Sequence, residues 1–250
     1  MDISTFKKPL IMGHRGFPTR YPENTMVSFR AAVDAGAQLV ELDVTLTRDG
    51  QVVVMHDDTV DRTTDGRGFV ADYTLGTLKR LDAGSWFHPG FAGERVPTLK
   101  EVLEKIDTRV VINIEIKSHR TTDAARKGKV VQGVLTDVLD ADAEERVLVS
   151  SFDPMVIKRV KQVYATIPVA LIAERSHPVE SVGLSRSLGA FSYHPDLAYL
   201  DHATVKALQM AGLRVFPYNI KEQKSAERAF ALGVDGLIAD DPIMARQCYT

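Results

Sequence analysis

The sequence predicts a TIM-type (β/α)8 barrel, an α/β fold with a small inserted subdomain over the C-terminal mouth. Three observations carry that expectation. Short apolar strands alternate with amphipathic helical stretches almost from end to end, which implies parallel crossovers and a parallel sheet covered by helices. A tight turn makes one surplus strand an antiparallel appendage, leaving eight parallel ones. Charged residues gather at strand C-termini, where a packed core would not want them. An open doubly wound sheet is the alternative architecture.

In chain order the strands are "PLIMGHRG", "LVELDVTL", "VVVMHD", "VVINIEIK", "RVLVSSF", "IPVALIA", "GAFSYH", "LRVFPYN" and "DGLIAD". Between them, "NTMVSFRAAVDAGA" has the helical period and stops at Gly36. "DPMVIKRVKQVY" opens with an Asp153 cap and Pro154 at the first helical position. "DHATVKALQMAG" and "SAERAFALG" each close on glycine. The third strand is the surplus one. Arg48-Asp49-Gly50 forms a hairpin turn, whereas parallel neighbours need a crossover of about a dozen residues. "VVVMHD" therefore returns antiparallel beside the end of "LVELDVTL".

Residues 59–97 break the rhythm with a long, turn-rich, aromatic segment, the pattern of a functional loop or small subdomain. Leaving from "MHDD", it is expected over the barrel mouth. No internal repeat, low-complexity tract or linker interrupts the chain, so residues 1–250 read as one domain with an insertion at about 59–97.

With 44% hydrophobic residues in 250, the chain can bury a large core. The near balance of 31 basic and 33 acidic residues provides no overall field for nucleic acid or membrane surfaces, though a local basic pocket for a small anion stays open. A single cysteine, Cys248, allows no internal disulfide and no cysteine metal cluster. No apolar run approaches the roughly 18 residues of a membrane span, and the first residues lack a secretory core. A soluble, cytoplasmic protein acting on a small molecule is expected, without nucleic acid or stable membrane association. A homodimer through an exposed apolar helix face stays open.

The chemistry is sought at the strand ends. Strand alternation aims Glu41 and Asp43 the same way, and it sets Asn113, Glu115 and Lys117 on one face. His14 and Arg15 end the first strand, while the hairpin return brings His56 and Asp57. Three carboxylates in a low-dielectric mouth repel one another and call for a cation. Oxygen ligation without cysteine suits Mg²⁺ or Ca²⁺. Arg15 and Lys117 beside that ion complement a phosphate, and two histidines can serve as acid and base near neutral pH. Together they point to metal-assisted phosphoester cleavage. Singly, each has a plainer role: a salt-bridged interior pair for Glu41 and Asp43, a structural histidine for His56, a solvated strand end for Lys117. His88, His119, His177 and His202 are expected at the surface and His194 nearer the rim. Asp240 and Asp241 are expected to cap the last helix.

Read in order, "GHRG…PENT", "ELDV…DGQVVVMHDD", "VPTL", "NIEIK", "SSF" and "GVDGLIADDP" resemble the glycerophosphodiester phosphodiesterases, of the short cytosolic bacterial type. The similarity runs from about Ile11 to Pro242. It implies hydrolysis of glycerophosphodiesters to glycerol 3-phosphate and an alcohol. By the same resemblance, His14 and His56 form the acid–base pair, and Glu41, Asp43 and Glu115 hold one divalent cation. Arg15 and Lys117 then contact phosphate, and the 59–97 insertion shapes the pocket. Glu23 and Asn24 of "PENT" would orient the site, with Asp57 in a like supporting role; helix capping accounts for Asn24 equally well.

One stretch departs from the family pattern. Many members carry Trp-Thr-Val-Asn where this chain has Phe216-Pro217-Tyr218-Asn219. Phe216 keeps an aromatic, whereas Pro217 removes a backbone donor. Phe152 and Phe216 are expected to contact substrate, with Trp86 either joining them or packing inside the insertion. Which histidine is the base, and whether water or the substrate's 2-hydroxyl attacks, are left open. The alternatives are a phospholipase D-like lipid phosphodiesterase yielding a cyclic phosphate, or a non-catalytic barrel that binds phosphodiesters.

Overall fold

The computed structural model describes residues 8–117, 124–175 and 178–249. The apolar runs among them form nine strands: β1 (Leu10–Gly13), β2 (Leu39–Leu46), β3 (Val52–Val54), β4 (Val111–Ile116), β5 (Val147–Ser151), β6 (Val169–Ala173), β7 (Ser192–Pro195), β8 (Arg214–Val215) and β9 (Gly236–Ala239). They make one sheet in the order β8-β7-β6-β5-β4-β2-β1-β9, and β3 pairs with β2 off that path. Pairing along the path is parallel throughout. Closure occurs just after β8, at the proline that cannot donate. The Pro217 carbonyl accepts from the Ile238 N–H at 3.0 Å, the Asp240 N–H reaches the Ile220 carbonyl at 3.0 Å, and Ile220 bridges Ala239 in parallel. The TIM-type barrel expected from the sequence is the fold.

Helices follow the parallel strands and cover them: α1 (Met26–Asp34), α3 (Leu99–Lys105), α4 (Ala124–Asp140), α5 (Pro154–Val163), α6 (Pro178–Ser187), α7 (His202–Met210), α8 (Gln223–Ala231) and α9 (Pro242–Gln247). Thr25, Asp153, Asp201 and Asp241 cap four of them by accepting a backbone N–H of the first turn. Gly36 and Gly212, at φ 86° and 83°, turn the chain away after α1 and α7. The helix within "SAERAFALG" starts earlier than its pattern suggests, because Glu222 and Ser225 cap each other's backbone.

The Thr47–Gln51 turn, with Gly50 at φ 78°, sends β3 back along β2 so that Val44 faces Val54 and Leu46 faces Val52. The 59–97 segment, which contains α2 (Leu75–Leu78), has an apolar cluster of Val60, Val70, Leu78, Ala83 and Val96 seated on Val53 and Met55. Along β2 the outward Val40, Leu42 and Val44 pack under the helices. Inside the barrel Leu10, Met12, Leu39, Val111, Leu148, Ala170, Phe216 and Ile238 fill the floor. Above that floor the inward positions become polar, which leaves a lined hollow at the strand C-termini rather than a packed core. Among the described residues no helix is long and apolar enough to cross a membrane. His119 and His177 lie outside the described residues.

Candidate active site

Parallel register assembles the acidic group. Asp43 of β2 lies directly beside Glu115 of β4, and Glu41 beside Asn113. Glu41, Asp43 and Glu115 each offer one oxygen, all within 4.8 Å of one another. Both β2 acids are buried, and Glu41 Oε1 has no hydrogen-bond partner. Burial and the neighbouring charges of Asp43 and Glu115 push the Glu41 carboxyl well above its ordinary range. Glu115 is raised by burial and by Asp43. Burial would raise Asp43 too, but Lys117 and Arg15 hold it well below the usual range. An orphaned oxygen in a carboxylate-only nest fits a hard divalent cation.

Two cations flank this nest. Lys117 Nζ lies 3.1 Å from Glu115 and 3.3 Å from Asp43. Arg15 Nε is 3.3 Å from Asp43 Oδ2, its NH1 donates to Glu23 at 2.9 Å, and its backbone N–H donates to Glu41 at 2.8 Å. The backbone reaches this arrangement through left-handed turns at Arg15 and Asn24, at φ 51° and 57°. Gly13 is required here, since a Cβ would stand 2.4 Å from the Gly16 carbonyl oxygen. Thr25, not Asn24, caps α1. Asn24 instead donates its amide to Asp43 Oδ2 at 2.9 Å.

Each of the two rim histidines meets a carboxylate through Nδ1: His14 meets Asp240 at 2.6 Å and His56 meets Asp57 at 2.6 Å. The pairing with Asp240 corrects its expected role, because Asp241 alone caps α9 while Asp240 turns inward. The signal for this was available: from Gly236 and Ile238, alternation places Asp240 on the inner face. Arg62, unremarked in the sequence, joins Asp57 to Glu23. No spacing rule announces a side chain delivered by a loop.

His14, Arg15, Glu41, His56, Glu115 and Lys117 line a cavity of about 1100 Å³. Phe152 stands on its wall, edge to face with Tyr218 at 6.1 Å between centroids. Phe216 does not line the cavity. It is fully buried in the barrel floor, one inward step below Tyr218, and so does not take the substrate-contact position expected of it. Trp86 likewise stays off the cavity wall, donating to the Ala83 carbonyl and meeting Phe87 edge to face. The insertion contributes Phe69, Val70 and Ala71 to the wall. His194 lines the base of the cavity, bonded through Nε2 to Ser192, and complete burial lowers it to about 3, which keeps it neutral. His88 and His202 are exposed.

A sequence model of the glycerophosphoryl diester phosphodiesterase family matches residues 14–244. The chain is 40% identical over 236 residues to a glycerophosphodiester phosphodiesterase of Caldanaerobacter subterraneus subsp. tengcongensis, covering 94% of this chain and 95% of that protein. It is 35% identical to one of Bacillus altitudinis, covering 93% and 94%. Among solved structures it resembles an Oleispira antarctica phosphodiesterase in complex with its product sn-glycerol-3-phosphate, with a TM-score of 0.89, 27% identity and 96% of each chain covered. A glycerophosphodiester phosphodiesterase of Thermotoga maritima superposes with a TM-score of 0.77 at 26% identity, covering 97% of this chain and 99% of that one.

Proposed function

The chain belongs to the glycerophosphoryl diester phosphodiesterase family, and from that premise we propose that it hydrolyses glycerophosphodiesters to sn-glycerol 3-phosphate and an alcohol, using a divalent cation and a histidine pair. The observation that carries this is the coupling of His14 to Asp240 and of His56 to Asp57 beside the three-acid nest. An ionised carboxylate only accepts, so the proton of each neutral imidazole sits on Nδ1 and Nε2 is free to act.

Glu41, Asp43 and Glu115 would hold the cation, Mg²⁺ or Ca²⁺ by their all-oxygen donor set, and when bound it supplies Lewis-acid polarisation of the phosphoryl group. Arg15 and Lys117 bind the diester as an anion and neutralise the charge that develops on it. One neutral imidazole takes the nucleophile's proton at Nε2, and the other, entering the step as an imidazolium protonated at both nitrogens, delivers its Nε2 proton to the departing alcohol oxygen and is left with Nδ1–H on its carboxylate. Phe152 and Tyr218 face that alcohol from the cavity wall. Residues 59–97 act as an inserted subdomain that completes the mouth through Phe69, Val70 and Ala71.

The test is a coupled assay for glycerol 3-phosphate across several glycerophosphodiesters. Release of glycerol 3-phosphate is expected, with His14→Ala and His56→Ala each lowering kcat about 10²-fold or more at unchanged melting temperature. A wild-type protein that forms none overturns the activity; near-normal turnover in either variant removes the histidine pair.

A further inference from the structure

Arg62 lies in the first turn of the insertion, yet its guanidinium grips two carboxylates at once. Nε donates to Asp57 Oδ2 at 2.7 Å and NH2 to Oδ1 at 3.2 Å. Its outer edge serves Glu23, with NH1 on Oε2 at 2.7 Å and NH2 on Oε1 at 2.8 Å. Each of those carboxylates holds a second group. Asp57 meets His56 Nδ1, and Glu23 accepts from Arg15 NH1. The result is one run of alternating charge, Asp43–Arg15–Glu23–Arg62–Asp57, that ends on His56 and joins the first barrel loop to the hairpin return.

The Arg62 side chain is 43% exposed, against 11% for Glu23 and 28% for Asp57, so solvent screens the pairs in part although their bidentate geometry strengthens them. Its geometry is the informative part, since a planar fork fixes carboxylate orientation in a way a point charge cannot. Asp57 follows His56 directly, so its carboxylate needs an external anchor to stay turned back against the imidazole. The turn bearing Arg62 is itself pinned, by Thr64 Oγ1 donating to the Val60 carbonyl at 2.7 Å and by the Val60 N–H on the Gly68 carbonyl at 2.9 Å.

We propose that Arg62 is a positioning residue for the reaction: from the insertion it locks Asp57, which keeps His56 in the Nδ1–H tautomer with Nε2 turned to the cavity. This rests on the acid–base role proposed for His56. In agreement with the geometry, hydrogen bonds from Arg62 and His56 outweigh burial and hold the Asp57 carboxyl down at about 2.

The experiment uses the full chain with Arg62→Ala, Arg62→Lys, Asp57→Asn and the Arg62→Ala/Asp57→Asn double variant. Each single variant is expected to lower kcat about ten-fold, a fraction of what a general acid or base contributes, with the melting temperature little changed. Lysine keeps the charge but cannot make the fork, so it should fail to rescue. The double variant should be no slower than the slower single, the signature of residues acting as one unit. Independently of turnover, ¹⁵N spectra of the histidines, with His56 assigned by its loss in His56→Ala, should show an Nδ1–H form in the wild type and a tautomer mixture in both Arg62 variants. Unchanged His56 spectra and wild-type kcat in Arg62→Ala overturn the proposal, as does a multiplicative loss in the double variant. A wild-type protein lacking activity while its His56 tautomer still depends on Arg62 faults the assigned reaction instead.

Discussion

Asp240 and Asp241 are adjacent and serve unrelated ends. Asp241 accepts the Met244 N–H and starts α9, whereas Asp240 accepts from His14 at 2.6 Å inside the mouth. Asp241→Ala should therefore cost about 1 kcal/mol of stability, a fall of roughly 2–4 °C in melting temperature, with kcat unchanged. Asp240→Asn should leave the melting temperature alone and lower kcat about ten-fold or more if His14 has the proposed acid–base role, since the amide cannot stabilise the imidazolium that this role requires. Equal kcat in the two variants would remove Asp240 from the site. Both residues are readable from alternation and capping rules, given that β9 ends there. The clasp of Arg62 is not: its side chain crosses from a loop to partners that lie 39 and 5 positions away in sequence, and only the folded insertion brings them together.

At the scale of elements, the strands were legible because each apolar run is bounded by turn residues. The hairpin was legible because three residues cannot make a parallel crossover. Depth within the barrel was not. Phe216 and Tyr218 share the inward face, and where the packed floor ends depends on how neighbouring strands stagger, which one strand's sequence does not encode. The last turn of α4 is a different case, a local conflict within a well-formed element. Asp137 and Asp140 both sit at the helix end that disfavours negative charge. Burial raises the Asp137 carboxyl from 3.8 to about 6, with Lys100 opposing and Asp140 and Glu104 adding to the rise. The folded state thus prefers the protonated form. That contribution is complete below the unfolded value and lost as pH climbs through 6, leaving a net penalty at neutral pH. Asp137→Asn should stabilise at pH 8 by about 1 kcal/mol, after allowance for partial exposure. The gain should shrink toward pH 5 in thermal melts. A gain equal at both pH values, or none at pH 8, would show that the charge is not the source.

For the molecule as a whole, the barrel concentrates its electrostatic conflict at one end. Glu41, Asp43 and Glu115 are carried on a rigid parallel register, so they cannot move apart to relieve their repulsion. Lys117 and Arg15 offset part of the charge of Asp43 and Glu115, but Glu41 Oε1 and Glu115 Oε1 remain without a hydrogen bond. Any cation that binds there binds the folded chain alone, because unfolding scatters the three ligands, so its binding energy adds directly to folding stability. At a hundred-fold excess over the dissociation constant this amounts to about 2.7 kcal/mol, or a rise of roughly 5–10 °C in a chain of this size. Chelator-treated protein titrated with Mg²⁺ or Ca²⁺ should show that rise, and K⁺ at equal ionic strength should not. Glu41→Gln separates the cation from general salt effects. It removes one of three repelling charges, so its metal-free melting temperature should be no lower than that of the wild type, while the response to divalent cations is lost. Indifference of the wild type to both divalent ions would leave the three buried acids without a counter-ion and remove the cation from the proposed reaction.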